Sequence, residues 1–261
     1  LSPFAKHAHA THTNLCQYPL PHDYFGSLAP LRYRTPDFSR DLLTATVAEL
    51  RHRRGRSRLK VVDLACGYGV NSALLKHGVD FAGFARLYRR PAGPEGAVAR
   101  DRAHFAARPV DQELTVVGVD ISTAATGYGL ATGLLDAVVS TDLEHGEPTE
   151  ADRAALADAD LVLATGGVAT LARVLALQTT PPAVLGWPLY GQCTEELVDC
   201  LTAHRLTVSS PDTTPRHQRH FATPHEREAY HYSLRRQRLE VAGSAAERSL
   251  CVTPLLAMPH A

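Results

Sequence analysis

Short apolar runs, each stopped by an acidic residue or glycine, recur along the chain with helical stretches between them. They are Leu59–Leu64, Leu114–Asp120 (LTVVGVD), Ala137–Thr141 (AVVST), Asp160–Ala164 (DLVLA) and Ala183–Leu189 (AVLGWPL). Leu206–Ser209 and Leu250–Thr253 are weaker candidates for two last strands. A strand covered on both faces needs a continuous apolar run rather than alternation. The intervening stretches 71–77, 122–135, 168–177 and 194–204 carry helical patterns, and Ser122 is a good N-cap. Such alternation predicts an α/β fold, a doubly wound Rossmann-like sheet of seven mostly parallel strands.

Two segments exceed a minimal version of this plan. Residues 1–57 form an N-terminal arm with a helix expected over Ser39–Arg51, placed to fold over the strand ends as a lid. Residues 58–261 form the sheet domain, with an insertion at 81–110 broken by Pro91-Ala92-Gly93-Pro94. The late segment holds Arg216-His217-Gln218-Arg219-His220-Phe221 and then an Arg-rich helical stretch, Pro224–Glu240, read as a solvated face.

Composition narrows the partners. The 261 residues carry 27 Lys and Arg against 27 Asp and Glu, so there is no cationic surplus of the kind nucleic-acid binders use against phosphates. The five cysteines form no C-x-x-C pair, which argues against a disulfide framework or zinc site. No apolar run reaches the roughly 18 residues of a membrane span. No signal-peptide core stands at the start of the sequence. The expectation is a soluble cytoplasmic protein with reduced thiols, no metal, no membrane or nucleic-acid partner and a small-molecule substrate. His7, His9 and His12 read as part of a loosely docked polar arm.

The richest stretch is VVDLACGYGVN, residues 61–71. It reads as strand, glycine turn and helix. In doubly wound sheets, ligands bind outside the carboxyl ends of the strands at the switch point, which is where this turn falls if the first strand is central. Gly67 and Gly69 allow positive φ and a close approach of backbone to ligand. The dinucleotide fingerprint would require a third glycine at position 72, where Ser72 stands. Asp63 can fix the loop or accept from an ammonium. Asp120, closing the second strand, can accept from both hydroxyls of a ribose. Asp142 can accept from an adenine amino group while Leu143 packs on the ring.

Taken together, VVDLACGYG (61–69), GVDIS (118–122), STDLE (140–144) and DLVLATGG (160–167) resemble the class I S-adenosylmethionine-dependent methyltransferase family. The resemblance covers roughly residues 58–205. It implies that Asp63, Gly67 and Gly69 line the methionine side of S-adenosylmethionine, with Ala65, Cys66 and Asn71 of the same turn beside them. It implies that Asp120 and Ile121 meet the ribose, that Asp142 and Leu143 meet the adenine edge, and that Thr165 faces both cofactor and substrate. The family usually has glycine where this chain has Ala65, a departure that φ < 0 would accommodate.

Residues 164–167 read Ala-Thr-Gly-Gly rather than the Asn- or Asp-Pro-Pro-Tyr of enzymes that methylate exocyclic amines, so a small-molecule acceptor is expected. Candidate substrate contacts are Tyr18, Phe25, Gly166, Tyr190 and Gln192. Candidate catalytic residues are Tyr24, His22 and His217, with a histidine near its ordinary pKa able to act as base. Two alternatives stay open. One is transfer or cyclisation of the aminocarboxypropyl group with release of methylthioadenosine. The other is a non-catalytic cofactor-binding interaction module.

Overall fold

A computed structural model describes residues 15–89, 96–164, 168–192, 194–210, 213–239 and 241–260. The candidate residues Thr165 and Gly166, the three leader histidines, Cys193 and Pro91–Pro94 lie outside them. The first elements whose full range is described are α1 (His22–Leu28) and α2 (Thr35–Arg54), then β1 (Leu59–Leu64) and α3 (Val70–His77). The insertion supplies α4 (Phe81–Arg86) and α5 (Ala97–Ala106). Next come β2 (Leu114–Val119), α6 (Thr123–Thr132), β3 (Ala137–Val139), α7 (Glu150–Leu156) and β4 (Leu161–Ala164). They are followed by α8 (Val168–Ala176), β5 (Ala183–Gly186), α9 (Glu195–Ala203) and β6 (Leu206–Ser209). The chain closes with β7 (Arg216–His220), α10 (Pro224–Arg236), β8 (Ser249–Val252) and β9 (Leu255–Pro259).

Seven strands form one sheet in the order β3-β2-β1-β4-β5-β9-β6. The first five pair in parallel, and β9 runs antiparallel to both β5 and β6. Consecutive residues of each central strand point to opposite faces, and both faces are apolar. Val61, Val116, Leu163 and Leu185 pack under Leu43, Val47 and Leu50 of α2 and Leu74 of α3. Val62, Val117, Val162 and Val184 pack against Leu156, Leu171, Val174 and Leu201 from α7, α8 and α9. Burial of this kind, at about 25 cal/mol per Å² of apolar surface, is the main force holding the layers together.

The last strand is not the expected one. Leu250–Thr253 lies outside the main sheet: Ser249–Val252 pairs with Arg216–His220 in a separate two-stranded ribbon. Pro254 has no N–H to give a ladder, so the chain breaks there and re-enters the sheet as β9. The early helix starts sooner and ends later than its pattern suggested, with Pro36 in its first turn and Gly55 at φ 62 closing it. Helix α7 was not anticipated. Its capping box between Thr149 and Asp152 starts it, and Leu156 is its one buried residue, so it has almost no apolar period to read.

A third apolar cluster joins α1, the turn after β1, the insertion and α6. Tyr24, Phe25, Tyr68, Phe81, Phe84, Tyr88, Phe105 and Tyr128 are all buried in it. Phe25 lies 4.7 Å from Phe84 and 5.2 Å from Phe81, centroid to centroid. The insertion is therefore packed structure that seats the N-terminal arm beside the glycine turn. Among the described residues, no helix is long and apolar enough to cross a membrane.

Candidate functional site

β1 and β2 are neighbours in register, so Asp63 faces Gly118 and the two strands end side by side. The ladder carries one step further, with Cys66 N–H donating to Val119 O at 3.2 Å. The chain then turns through three left-handed residues: Ala65 at φ 55, Gly67 at φ 50 and Gly69 at φ 80. Gly69 is also the N-cap of α3. The condition that made Ala65 acceptable, φ < 0, does not hold. An L-residue with a Cβ costs roughly 1–2 kcal/mol in this region, so the turn holds strain where glycine would hold none.

Asp63 is wholly buried. Its Oδ1 accepts from Asn71 Nδ2 at 3.0 Å, while its Oδ2 has no hydrogen-bond partner. Burial pushes its carboxyl up to about 7; the Asn71 bond pulls it down, and the charge on Asp120 raises it. Asp120 stands half-buried at the end of β2. Its Oδ2 accepts from Gly67 N at 2.9 Å and its Oδ1 from Ser122 N at 2.9 Å. Each oxygen keeps a second lone pair. Ile121, the next residue, is 55% exposed, an apolar side chain presented at the strand end.

Asp142 is exposed, and its own turn uses it: Glu144 N donates to Oδ1 at 3.0 Å, and His145 Nδ1 lies 2.9 Å from Oδ2. The His145 bond holds its carboxyl below the usual range. Leu143 is buried in the core with Val117 and Val162. Cys66 is buried beneath the turn. A Cβ on Gly118 would fall 2.7 Å from its sulfur, so glycine at that position makes room for the thiol. Burial raises the Cys66 thiol well above its ordinary range, with Asp63 and Asp120 adding to the effect.

Residues 15–18 cross the turn as a strap. Ser122 Oγ donates to Cys16 O and also accepts from Ala125 N at 3.1 Å, so one hydroxyl caps α6 and pins the strap. Tyr68 OH donates to Tyr18 O at 2.8 Å. Cys16 is buried against Gly67, and its thiol is pushed up to about 12 by burial and by Asp120. Ser122 was legible as a cap, but the pinning roles of Ser122 and Tyr68 had no local signal. They depend on partners about 50 and 100 residues away in sequence.

The other candidates are spread out. Tyr24 packs edge-on against Tyr68 at 5.5 Å, and burial raises its phenol well above the ordinary value, with Asp120 and Asp63 contributing. Its hydroxyl stays protonated near neutral pH and can donate a hydrogen bond. Phe25 is a core residue of the aromatic cluster, and the Tyr18 side chain is exposed. His22 is exposed, 3.6 Å from Asp23. His217 sits on the β7–β8 ribbon, with Nε2 3.0 Å from Arg32 O, and burial lowers its pKa. Tyr190 and Gln192 follow β5. Tyr190 N donates to Cys251 O at 2.8 Å, and Gln192 Oε1 accepts from Leu189 N at 3.3 Å. The structure thus brings Asp63, Ala65, Cys66, Gly67, Gly69, Asn71, Asp120 and Ile121 together around one turn, with Tyr24 close by. It sets His22, His217, Tyr190 and Gln192 on other elements. Among the described residues, no group of three or more His, Cys, Asp or Glu is arranged to hold a metal.

No family model and no curated protein matches this sequence. Solved structures are similar at low identity. Magnesium protoporphyrin IX methyltransferase from Synechocystis PCC 6803, with bound SAM, is 14% identical over 85% of this chain and 79% of its own, with a TM-score of 0.42. A TehB-like SAM-dependent methyltransferase from Corynebacterium glutamicum is 14% identical over 83% of this chain and 92% of its own, with a TM-score of 0.38. WbdD is 13% identical over 87% of this chain but only 42% of its own, with a TM-score of 0.44. What the sheet itself shows is the order β3-β2-β1-β4-β5-β9-β6 with β9 alone reversed. The chain therefore has an α/β fold, a doubly wound Rossmann-like sheet of seven mostly parallel strands.

Proposed function

We propose that this protein binds S-adenosylmethionine at the turn between β1 and α3 and catalyses transfer of its methyl group to a small molecule. The observation that carries the reading is Asp63: a wholly buried carboxylate at the end of a central strand, with one oxygen unpartnered. Burying a carboxylate without full hydrogen bonding is costly. An ammonium is the group that would complete it, and the amino-acid end of S-adenosylmethionine has one. Asp120 has lone pairs to spare for two ribose hydroxyls, Ile121 offers an apolar surface for a flat base, and Asn71 holds Asp63 in place. Asp142 is left with less to give an adenine amino group, because its own turn engages it.

When bound, S-adenosylmethionine supplies a sulfonium whose methyl is open to in-line displacement. The protein's share is alignment and exclusion of water. The strap over Gly67 and the aromatic cluster behind Tyr68 serve that purpose here, and Tyr24 supplies a donor rather than a base. A small acceptor is favoured by the Ala-Thr-Gly-Gly sequence after β4 and by the balanced charge.

Incubation with S-adenosylmethionine and pooled small-molecule acceptors, followed by mass spectrometry, tests the reading. S-adenosylhomocysteine formed only when acceptor is present is the expected result. Methylthioadenosine formed without acceptor would overturn methyl transfer while keeping the binding site. No binding at all would overturn both.

A further inference from the structure

The segment 210–254 is an excursion that leaves the carboxyl end of β6 and returns at the start of β9. Because β9 is antiparallel to both β5 and β6, this excursion stands on the same edge of the sheet as the glycine turn. It is fastened there by an isolated bridge between Leu189 and Val252 and by two bonds to the N-terminal arm: Arg34 N to Gln218 O at 2.8 Å, and His220 N to Leu31 O at 2.7 Å. Where β7 passes into α10, the excursion forms an open, shallow cleft of about 340 Å³. That is within the roughly 300–1,000 Å³ range of small-ligand sites. Its walls include His220, Phe221, Thr223, Arg227, Glu247 and Arg248.

The charges in this cleft are arranged unlike those next to it. Arg219 is buried and grips Glu226 through two bonds, at 2.6 and 2.9 Å, and Glu226 Oε2 also accepts from Ala222 N at 2.7 Å. Arg227 and Arg248 are exposed and come from different elements, and among the described residues neither guanidinium meets a carboxylate. Glu247, the one carboxylate among the described lining residues, accepts from Gly243 N at 2.9 Å through Oε2. The start of α10 contributes little. Pro224 has no N–H, and Thr223 Oγ1 already caps Glu226 N at 3.1 Å. The attraction therefore comes from two arginines of different elements that line the same depression, the residue type that suits an oxyanion, with the half-buried Phe221 as an apolar wall beside them.

We propose that this cleft binds the phosphate or carboxylate group of a small molecule, held between Arg227 and Arg248. The site is independent of the reading of the glycine turn. The test is calorimetric titration of the full chain with inorganic phosphate and with malonate at low ionic strength. Saturable binding is expected for at least one probe. In Arg227→Gln and in Arg248→Gln that affinity should fall at least about tenfold, the loss of one charge-assisted bond. Arg153→Gln, which removes an exposed arginine on α7 paired with Glu147, should leave it unchanged. S-adenosylmethionine titrated into the same variants separates failure of this site from failure of the other. Absence of saturation with both probes, or equal affinity in the cleft variants and the Arg153 control, would overturn the proposal.

Discussion

Two buried aspartates, one within β1 and one just before the adjacent β4, are treated in opposite ways. Asp160 precedes β4 at the amino end of the sheet. Its Oδ1 accepts from Arg56 at 2.6 Å, with Arg54 at 3.6 Å, and its Oδ2 accepts from Lys60 N at 2.9 Å. Asp63, at the carboxyl end of β1, has one amide donor and no cation. The first carboxylate is completed by its own chain and ties the α2 end to β1 and β4. The second is left incomplete. In a doubly wound sheet the amino edge can close on itself, while the carboxyl edge is where the fold leaves room for a ligand. The contrast sets Asp63 apart from the structural acid Asp160 and is the ground on which a binding role is proposed for it, without reference to any relative.

The comparison can be broken most decisively through stability. Asp160→Ala leaves the Lys60 N–H without its acceptor and removes the carboxylate facing Arg54 and the half-exposed Arg56, and should cost about 1–2 kcal/mol in urea denaturation. Asp63→Asn removes a buried, under-bonded charge and should leave stability equal to wild type or higher. Comparable losses in the two variants would erase the distinction. Ligand binding should reverse the order. Asp63→Asn and Asp120→Ala are each expected to weaken S-adenosylmethionine binding by about ten- to a hundredfold, the value of one or two charge-assisted bonds. A stable Asp160 variant should bind normally.

Acidity sharpens the same contrast. The Asp63 carboxyl has an ordinary value of 3.8 and is raised to about 7 in the folded protein. Between these values the folded state holds a proton that the unfolded state has released. Its contribution to stability is therefore greatest at low pH, falls as pH rises through this window and is flat above about 7. The difference between wild type and Asp63→Asn in urea midpoints against pH should trace that fall. Affinity for an ammonium-bearing ligand moves the other way, tightening by up to about tenfold per pH unit below 7 and levelling above it. A pH-independent affinity would mean that Asp63 does not meet the ammonium.

The smallest effect concerns the turn. Ala65→Gly relieves the left-handed strain but adds chain entropy to the unfolded state. The net expectation is a gain of about 0.5 kcal/mol, read from the urea midpoint. A loss would show that the Ala65 methyl has a packing role that outweighs its backbone cost.

The parts of this molecule legible from sequence are those with local causes. β1, β2, β4 and β5 are buried on both faces, so their runs of Val and Leu are continuous. The glycine turn announced its position through Gly67 and Gly69, and Ser122 announced the start of α6. The φ of Ala65 had no such signal, because it is imposed by the backbone on either side. β9 mixes Ala, Met and Pro after Pro254 and is recognisable only by its two partners in the sheet. Tyr24 and Phe25 read as lid residues from their position. Their packing on Phe81 and Phe84 depends on contacts across more than fifty residues, which no local pattern records.

The most direct test of the central claim is calorimetry of S-adenosylmethionine binding to the wild-type chain and to Asp63→Asn at pH 8, above the raised carboxyl. Saturable binding to wild type, weakened at least about tenfold in a variant of undiminished stability, is the predicted result. Equal affinity in the two proteins, or no binding to wild type, would contradict it.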